Sequence, residues 1–186
     1  MWVFMGFSLY DTEGLEGQIR LPDLDAVDWR GAATSMAGDL YGMFTRHPWL
    51  VQAFATHLFH GTGKARHDDH NLAVYEKAGF TGPQADRAAA AVFTYVLGNA
   101  APSAATTSLT RRIEPEGGDA EEVFGAVMKQ ATEAAAGFPR LRSRVESVSG
   151  SGHPDYADAP DDTFDFGLQA LLDGLTARIP GTPATM

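Results

Sequence analysis

The sequence predicts an all-helical fold, and three observations carry the prediction. Helix formers dominate, alanine above all, while valine and isoleucine are sparse, which disfavours a sheet. Apolar residues recur at helical spacing, most clearly at Phe164, Leu168, Leu171, Leu175 and Ile179. Capping residues, glycines and prolines punctuate the ends of these stripes.

Taken in order, residues 1–27 give weak helical signals, broken by Gly6, Gly14, Gly17 and Pro22. The first firm helix starts behind Asp28 as N-cap and ends at Pro48; its stripe is Trp29, Ala33, Met36, Leu40, Met43 and His47. Gly31, Gly38 and Gly42 each cost this helix about 1 kcal/mol relative to alanine, which points to close packing against a neighbour. A second helix runs from Trp49 to about Phe59. After a Gly61–Gly63 loop, a third continues to Ala78, where Lys77, Gly79 and Phe80 form a stop. Thr81 to Gln84 reads as a capping box with Pro83 in the first turn, and the helix it starts runs to about Asn99. Ala85, Ala88, Ala89 and Val92 give that helix one narrow face, suited to a close helix–helix contact. Residues 100–118, rich in Ala, Pro, Ser, Thr and Gly, read as a mobile connection. Asp119 with Glu122 opens a helix whose stripe is Phe124, Val127, Met128, Ala131 and Ala135. Residues 145–160 read as a second irregular stretch, and Asp162 with Asp165 caps the last helix. This organisation places a remnant or linker at 1–27, one helical domain at 28–179 and a tail at 180–186.

Composition bounds function. At 186 residues the chain can bury a full core. Fourteen Lys and Arg face 24 Asp and Glu, a net charge of −10, so phosphate backbones repel it and direct nucleic-acid binding by this chain is not expected. Without cysteine there are no disulfides or thiolate metal sites. Residues 1–10 are apolar but lack a basic flank and a small-residue cleavage site, and no run reaches membrane-spanning length, so the expected setting is soluble and cytoplasmic. No nucleophile with a paired histidine and acid stands out, and there is no phosphate-cradling glycine loop.

Four of the six histidines, His57, His60, His67 and His70, lie within fourteen residues, beside Asp68 and Asp69. His57/His60 and His67/His70 are i,i+3 pairs, each on one helix face. Two such pairs facing one another could hold a divalent metal, since imidazole and carboxylate suit Zn²⁺, Ni²⁺ and Fe; a solvated polar helix start is the other reading. No cofactor is otherwise indicated.

Thr45-Arg46-His47-Pro48-Trp49-Leu50, Tyr75-Glu76-Lys77-Ala78-Gly79-Phe80-Thr81 and the segment Phe164–Leu175 resemble, in order and spacing, the effector-binding half of a tetracycline-repressor-like (TetR-family) regulator. The likeness spans about Asp28 to Ile179. It implies an all-helical C-terminal bundle that binds a small apolar or amphipathic molecule and forms a homodimer. The dimer would be a four-helix bundle built from the helices at 81–99 and 162–179, which places Ala85, Ala88, Val92, Phe164, Leu168, Leu171 and Leu175 at the interface; ordinary core packing is the alternative for both stripes. The resemblance also implies an internal effector pocket, for which Trp49, Phe54, His57, His60, Tyr75, Phe93, Asn99, Phe124 and Met128 are the candidates. Each aromatic taken singly also fits plain core packing. His57-Leu58 with Gly61-Thr62 is similar to the tetracycline repressor's own segment, where a histidine holds the drug's metal.

The departure is at the front, where family members carry a helix-turn-helix module and only 27 residues precede Asp28. The expected function is the sensing and dimerisation part of a transcriptional regulator. The alternatives are a stand-alone binder or enzyme of cyclase or isomerase type, using His57, His60 or Tyr75 as acid–base groups, and a decoy that pairs with a full-length relative.

Overall fold

The computed structural model describes residues 19–56, 61–116, 118–151 and 160–179, and within these it is helical without a strand. Helix α1 spans Trp29–Arg46, and the Asp28 carboxylate caps it by accepting the Gly31 N–H at 2.7 Å. Its buried face is broader than the predicted stripe, adding Ala32, Ala37, Tyr41 and Phe44 to Ala33, Met36, Leu40 and Met43. Such a wide apolar arc is what a helix packed on several neighbours needs. Gly31, Gly38 and Gly42 serve a different end from the expected close packing. A methyl on Gly31 or Gly42 would meet only Asp28 or Arg46 of the same segment, and one on Gly38 would meet nothing.

Pro48 is buried, and α2 follows at Trp49–Thr56. Helix α3, Thr62–Ala78, ends as its sequence predicts. Gly79 takes φ 104°, a left-handed turn that favours glycine. The Phe80 N–H then donates to the Tyr75 carbonyl at 3.1 Å, which folds the Phe80 ring into the core.

Helix α4, Pro83–Ile113, is the central element and corrects two expectations. No side chain caps it: Gly82, at φ 47°, holds the N-cap position, so the Thr81–Gln84 box does not form. Nor does the helix stop near Asn99; it continues through Pro102 across residues expected to be a loop. Pro102 removes one backbone donor and normally breaks a helix. Here burial outweighs that cost, because Val92, Val96, Ala100 and Ala104 form one unbroken inner stripe. Three hydroxyls bond back to carbonyls one turn earlier in the same region: Thr106 to Pro102, Thr107 to Ser103 and Thr110 to Thr106.

A 3-10 turn at Glu114–Glu116 precedes α5, Ala120–Ala135, which Asp119 caps by accepting the Glu121 and Glu122 N–H groups. Helix α6, Pro139–Ser151, occupies part of the stretch expected to be irregular from Val145. Helices α5 and α6 pack mainly on each other, leaving Val127, Phe138 and Leu141 exposed. The last helix, α7, spans Pro160–Thr176, starting two residues before the predicted Asp162 cap.

The core forms where α1, α2, α3 and α7 pack around α4. Arg30 ties the first turn of α1 to α7, pairing with Asp173 at 2.8 Å and donating to Gln169 and Thr176. Arg20 anchors the preceding segment to Asp39 of α1. Partial burial alone would raise the Asp39 pKa, but the Arg20 hydrogen bonds and charge outweigh it and hold the carboxyl below its ordinary value.

At the α4–α7 crossing the Tyr95 hydroxyl donates to the Phe164 carbonyl at 2.9 Å, and the Phe164 ring stacks on Tyr41 with centroids 4.2 Å apart. Gly167 makes room for this: a Cβ there would overlap the Tyr95 hydroxyl. Gly167→Ala is therefore expected to lower stability by about 1–3 kcal/mol, the range for overpacking. Tyr95→Phe in the same chain should recover part of that loss in a urea titration. A Gly167→Ala chain as stable as the parent would show that Tyr95 yields freely.

Candidate functional site

The structure brings together some of the sequence-predicted pocket residues and separates others. Phe54 of α2 sits edge-on to Phe44 of α1 at 5.4 Å and tilted against Phe93 of α4 at 5.5 Å. Phe44 is fully buried, whereas Phe54 and Phe93 are half-buried, so this trio runs from the core towards the surface. Phe44 was not expected as part of the site. Its signal lay in the sequence as Leu40-Tyr41 followed three residues later by Phe44, a second apolar row beside the first.

Tyr75 belongs to a different group. It lies in the core, 6.4 Å from the Trp29 ring and 6.5 Å from Phe80. Trp29 and Phe44 are fifteen residues apart on α1, about 22 Å along the axis, so the two aromatic groups are anchored at opposite ends of that helix. Trp49 is 45% exposed on α2. Asn99 is half-buried and uses its amide on the Tyr95 carbonyl at 2.9 Å, a local bond within α4. Phe124 and Met128 lie on α5, half-buried and 41% exposed, and neither is part of the core cluster. His57 and His60 lie outside the described residues.

The residues expected at a dimer interface are in the protomer's own core. Ala85, Ala88 and Val92 face inward on α4, and Phe164, Leu168 and Leu175 face inward on α7; Leu171 is half-buried. The opposite faces of the same helices are open to solvent. Those carry Ala90, Ala91 and Thr94 on α4, and Phe166, Ala170 and Gly174 on α7, with Phe166 79% exposed.

Helix α3 also carries the polar features. His67 and His70 are half-buried near one another, and Lys64 pairs with Asp68 one turn on. The Nε2 of His70 is buried without a hydrogen-bond partner. An open cleft of about 520 Å³ lies beside it, walled by Leu21, Asp23 and Asp25 on one side and Arg66, Asp69 and His70 on the other. Among the described residues no three His, Asp or Glu side chains converge as a metal set. The facing pair needed for the expected metal site, His57 and His60, is outside them.

Burial pushes the His67 pKa below its ordinary value, only partly opposed by Asp68. A depressed pKa means that the folded state resists the proton which the unfolded chain takes up near pH 6.5. Stability from this group is thus fully present above pH 6.5 and is lost as pH falls towards the folded pKa. Melting temperatures from pH 7.5 to 5 should fall less steeply for His67→Gln than for the native chain. Parallel curves would remove His67 as the cause.

The family described as tetracyclin repressor-like, C-terminal domain, matches residues 21–179, and this chain belongs to it. Among curated proteins it is similar to the HTH-type transcriptional repressor DrrR1 of Streptomyces coeruleorubidus, with 30% identity over 158 residues. That match covers 84% of this chain, and the chain spans only 55% of the repressor's length. Among solved structures the fold is similar to the Streptomyces coelicolor TetR family protein ActR in complex with actinorhodin, with a TM-score of 0.65 and 16% identity over 90% of this chain and 72% of that one. The ActR complex with (S)-DNPA matches with a TM-score of 0.59 at the same identity and coverage. Among the described residues no helix is long and apolar enough to cross a membrane.

Proposed function

We propose that this chain is the effector-binding and dimerisation part of a tetracycline-repressor-like regulator. The observation that carries the reading is the family match over nearly the whole helical body. It is supported by the repressor relative and by a fold shared with ActR, whose two matching structures hold actinorhodin and (S)-DNPA. The aromatic residues graded from buried Phe44 to half-buried Phe54 and Phe93 give an apolar, aromatic-rich region in which a small amphipathic molecule can lose its water.

A ligand that binds only the folded chain adds about 2.7 kcal/mol at a hundred times its dissociation constant. In a domain of this size that raises the melting temperature by several degrees. A thermal-shift screen of apolar and amphipathic compounds should find such a shift, and for a compound held by the Phe44–Phe54–Phe93 group Phe93→Ala should remove it while the chain stays folded. A broad screen without a single shift would sink the sensor reading. Pairing through the exposed faces of α4 and α7, with Phe166 at the centre, completes the proposal.

A further inference from the structure

Tyr75 is the deepest large side chain on α3, with none of its surface open to solvent. Three elements of the fold hold it there: the last turn of α3, Trp29 at the start of α1, and Phe80, turned inward by the left-handed Gly79. Its ring is satisfied by these apolar neighbours. Its hydroxyl is not, being buried without any hydrogen-bond partner. An unpaired hydroxyl sealed from water is costly, and native proteins rarely leave one without a purpose.

We propose that the Tyr75 hydroxyl is the hydrogen-bond donor to the effector, and that the effector is a neutral aromatic molecule presenting a carbonyl-type oxygen to it. This rests on the sensor reading and adds the ligand's chemistry and a separate binding region at the opposite end of α1 from the Phe44–Phe54–Phe93 group. The acceptor requirement follows from the phenol. Burial raises its pKa, so it keeps its proton through the physiological range and donates. Neutrality follows from the surroundings. Among the described residues no charged side chain is buried in the core, so a buried ligand charge would have no counter-ion. Arg30 lies over the Trp29 ring at 5.9 Å but is committed to Asp173, Gln169 and Thr176 of α7. Aromatic character follows from the walls: Trp29 and Phe80 stand at 53° and 64° to Tyr75, a geometry that offers ring edges and faces to a planar guest. Trp29 is half-buried and forms the outer wall.

The test uses the full chain and two shape-matched pairs, 9-fluorenone with fluorene and benzophenone with diphenylmethane. Affinities are read by calorimetry, and the site by tryptophan emission in the native chain and in Trp29→Phe. Each ketone is expected to bind about tenfold or more tightly than its hydrocarbon, the effect of one hydrogen bond to an otherwise unpaired group. It should also change an emission component that Trp29→Phe lacks. Tyr75→Phe should abolish the ketone preference, leave hydrocarbon affinity unchanged, and melt no lower than the native chain without ligand. A lower melting temperature for unliganded Tyr75→Phe would mean that the hydroxyl already has a partner, and would overturn the proposal. So would a ketone preference that survives Tyr75→Phe, equal binding within each pair, or no binding by any of the four. Failure of the sensor reading is a separate result, the absence of any shift in the broad thermal screen.

Discussion

Leu168→Asp is expected to leave no cooperatively folded protein, while Phe166→Asp, two residues away, leaves the fold intact and yields a monomer. Leu168 has no exposed surface and lies with Phe164, Leu172 and Leu175 between α7 and α4. A carboxylate there must either stay ionised without a partner or take up a proton at neutral pH, and either route costs several kcal/mol. Lost apolar burial and the misfit add to that, against a total stability of about 5–15 kcal/mol for a domain. Phe166 is 79% exposed, so replacing it costs the protomer little. What it removes is the largest apolar group on the outer face of α7, where a second copy would sit. Circular dichroism and light scattering separate the outcomes. A folded Leu168→Asp chain would show that α7 is peripheral to the core. A Phe166→Asp chain that remains dimeric would move the interface elsewhere.

That contrast also marks what the sequence could reveal. Local signals were readable because local chemistry sets them. Asp28 and Asp119 cap their helices, and Gly79 with Phe80 stops α3, since a side-chain oxygen or a left-handed glycine acts within one turn. The apolar stripes of α4 and α7 were equally plain. Which partner they meet was not, because a stripe buried in its own protomer and one buried between two chains have the same composition. Pro102 shows the same limit from another side. Read locally, it ends a helix; in the structure, burial of Val96, Ala100 and Ala104 carries α4 past it.

The candidate site was half legible for a related reason. Aromatic residues announce themselves, and Phe54 and Phe93 do meet. Tyr75 carries the same signal yet lies with Trp29, because helix length rather than residue type decides which end of α1 it reaches. Phe124 and Met128 match the pocket pattern but ride on α5, which packs mainly on α6. The notch at Gly167 had no signal beyond a glycine in a helix, since its meaning is the Tyr95 ring of another element.

Phe44→Ala is expected to cost about 3–5 kcal/mol, the range for emptying a buried aromatic site, and this loss should be partly recovered by ligand. Phe44 is fully enclosed and stands against Phe54 of α2, which in turn meets Phe93 of α4, so collapse into the cavity is limited. Phe93→Ala, at a half-buried position, should cost distinctly less, since water already reaches part of its ring. The pair then separates packing from binding. If the Phe44–Phe54–Phe93 group is the apolar part of an effector site, the Phe44→Ala cavity enlarges that site and a bulkier hydrophobic compound binds it better than the native chain does. Phe93→Ala instead loses ligand affinity at small cost in stability. Chemical denaturation of both variants, with and without the compounds found by thermal shift, measures each quantity. Equal stability losses at the two positions, with unchanged ligand affinity in both, would show that the trio is ordinary core and would leave the Trp29–Tyr75–Phe80 group as the remaining place for an effector.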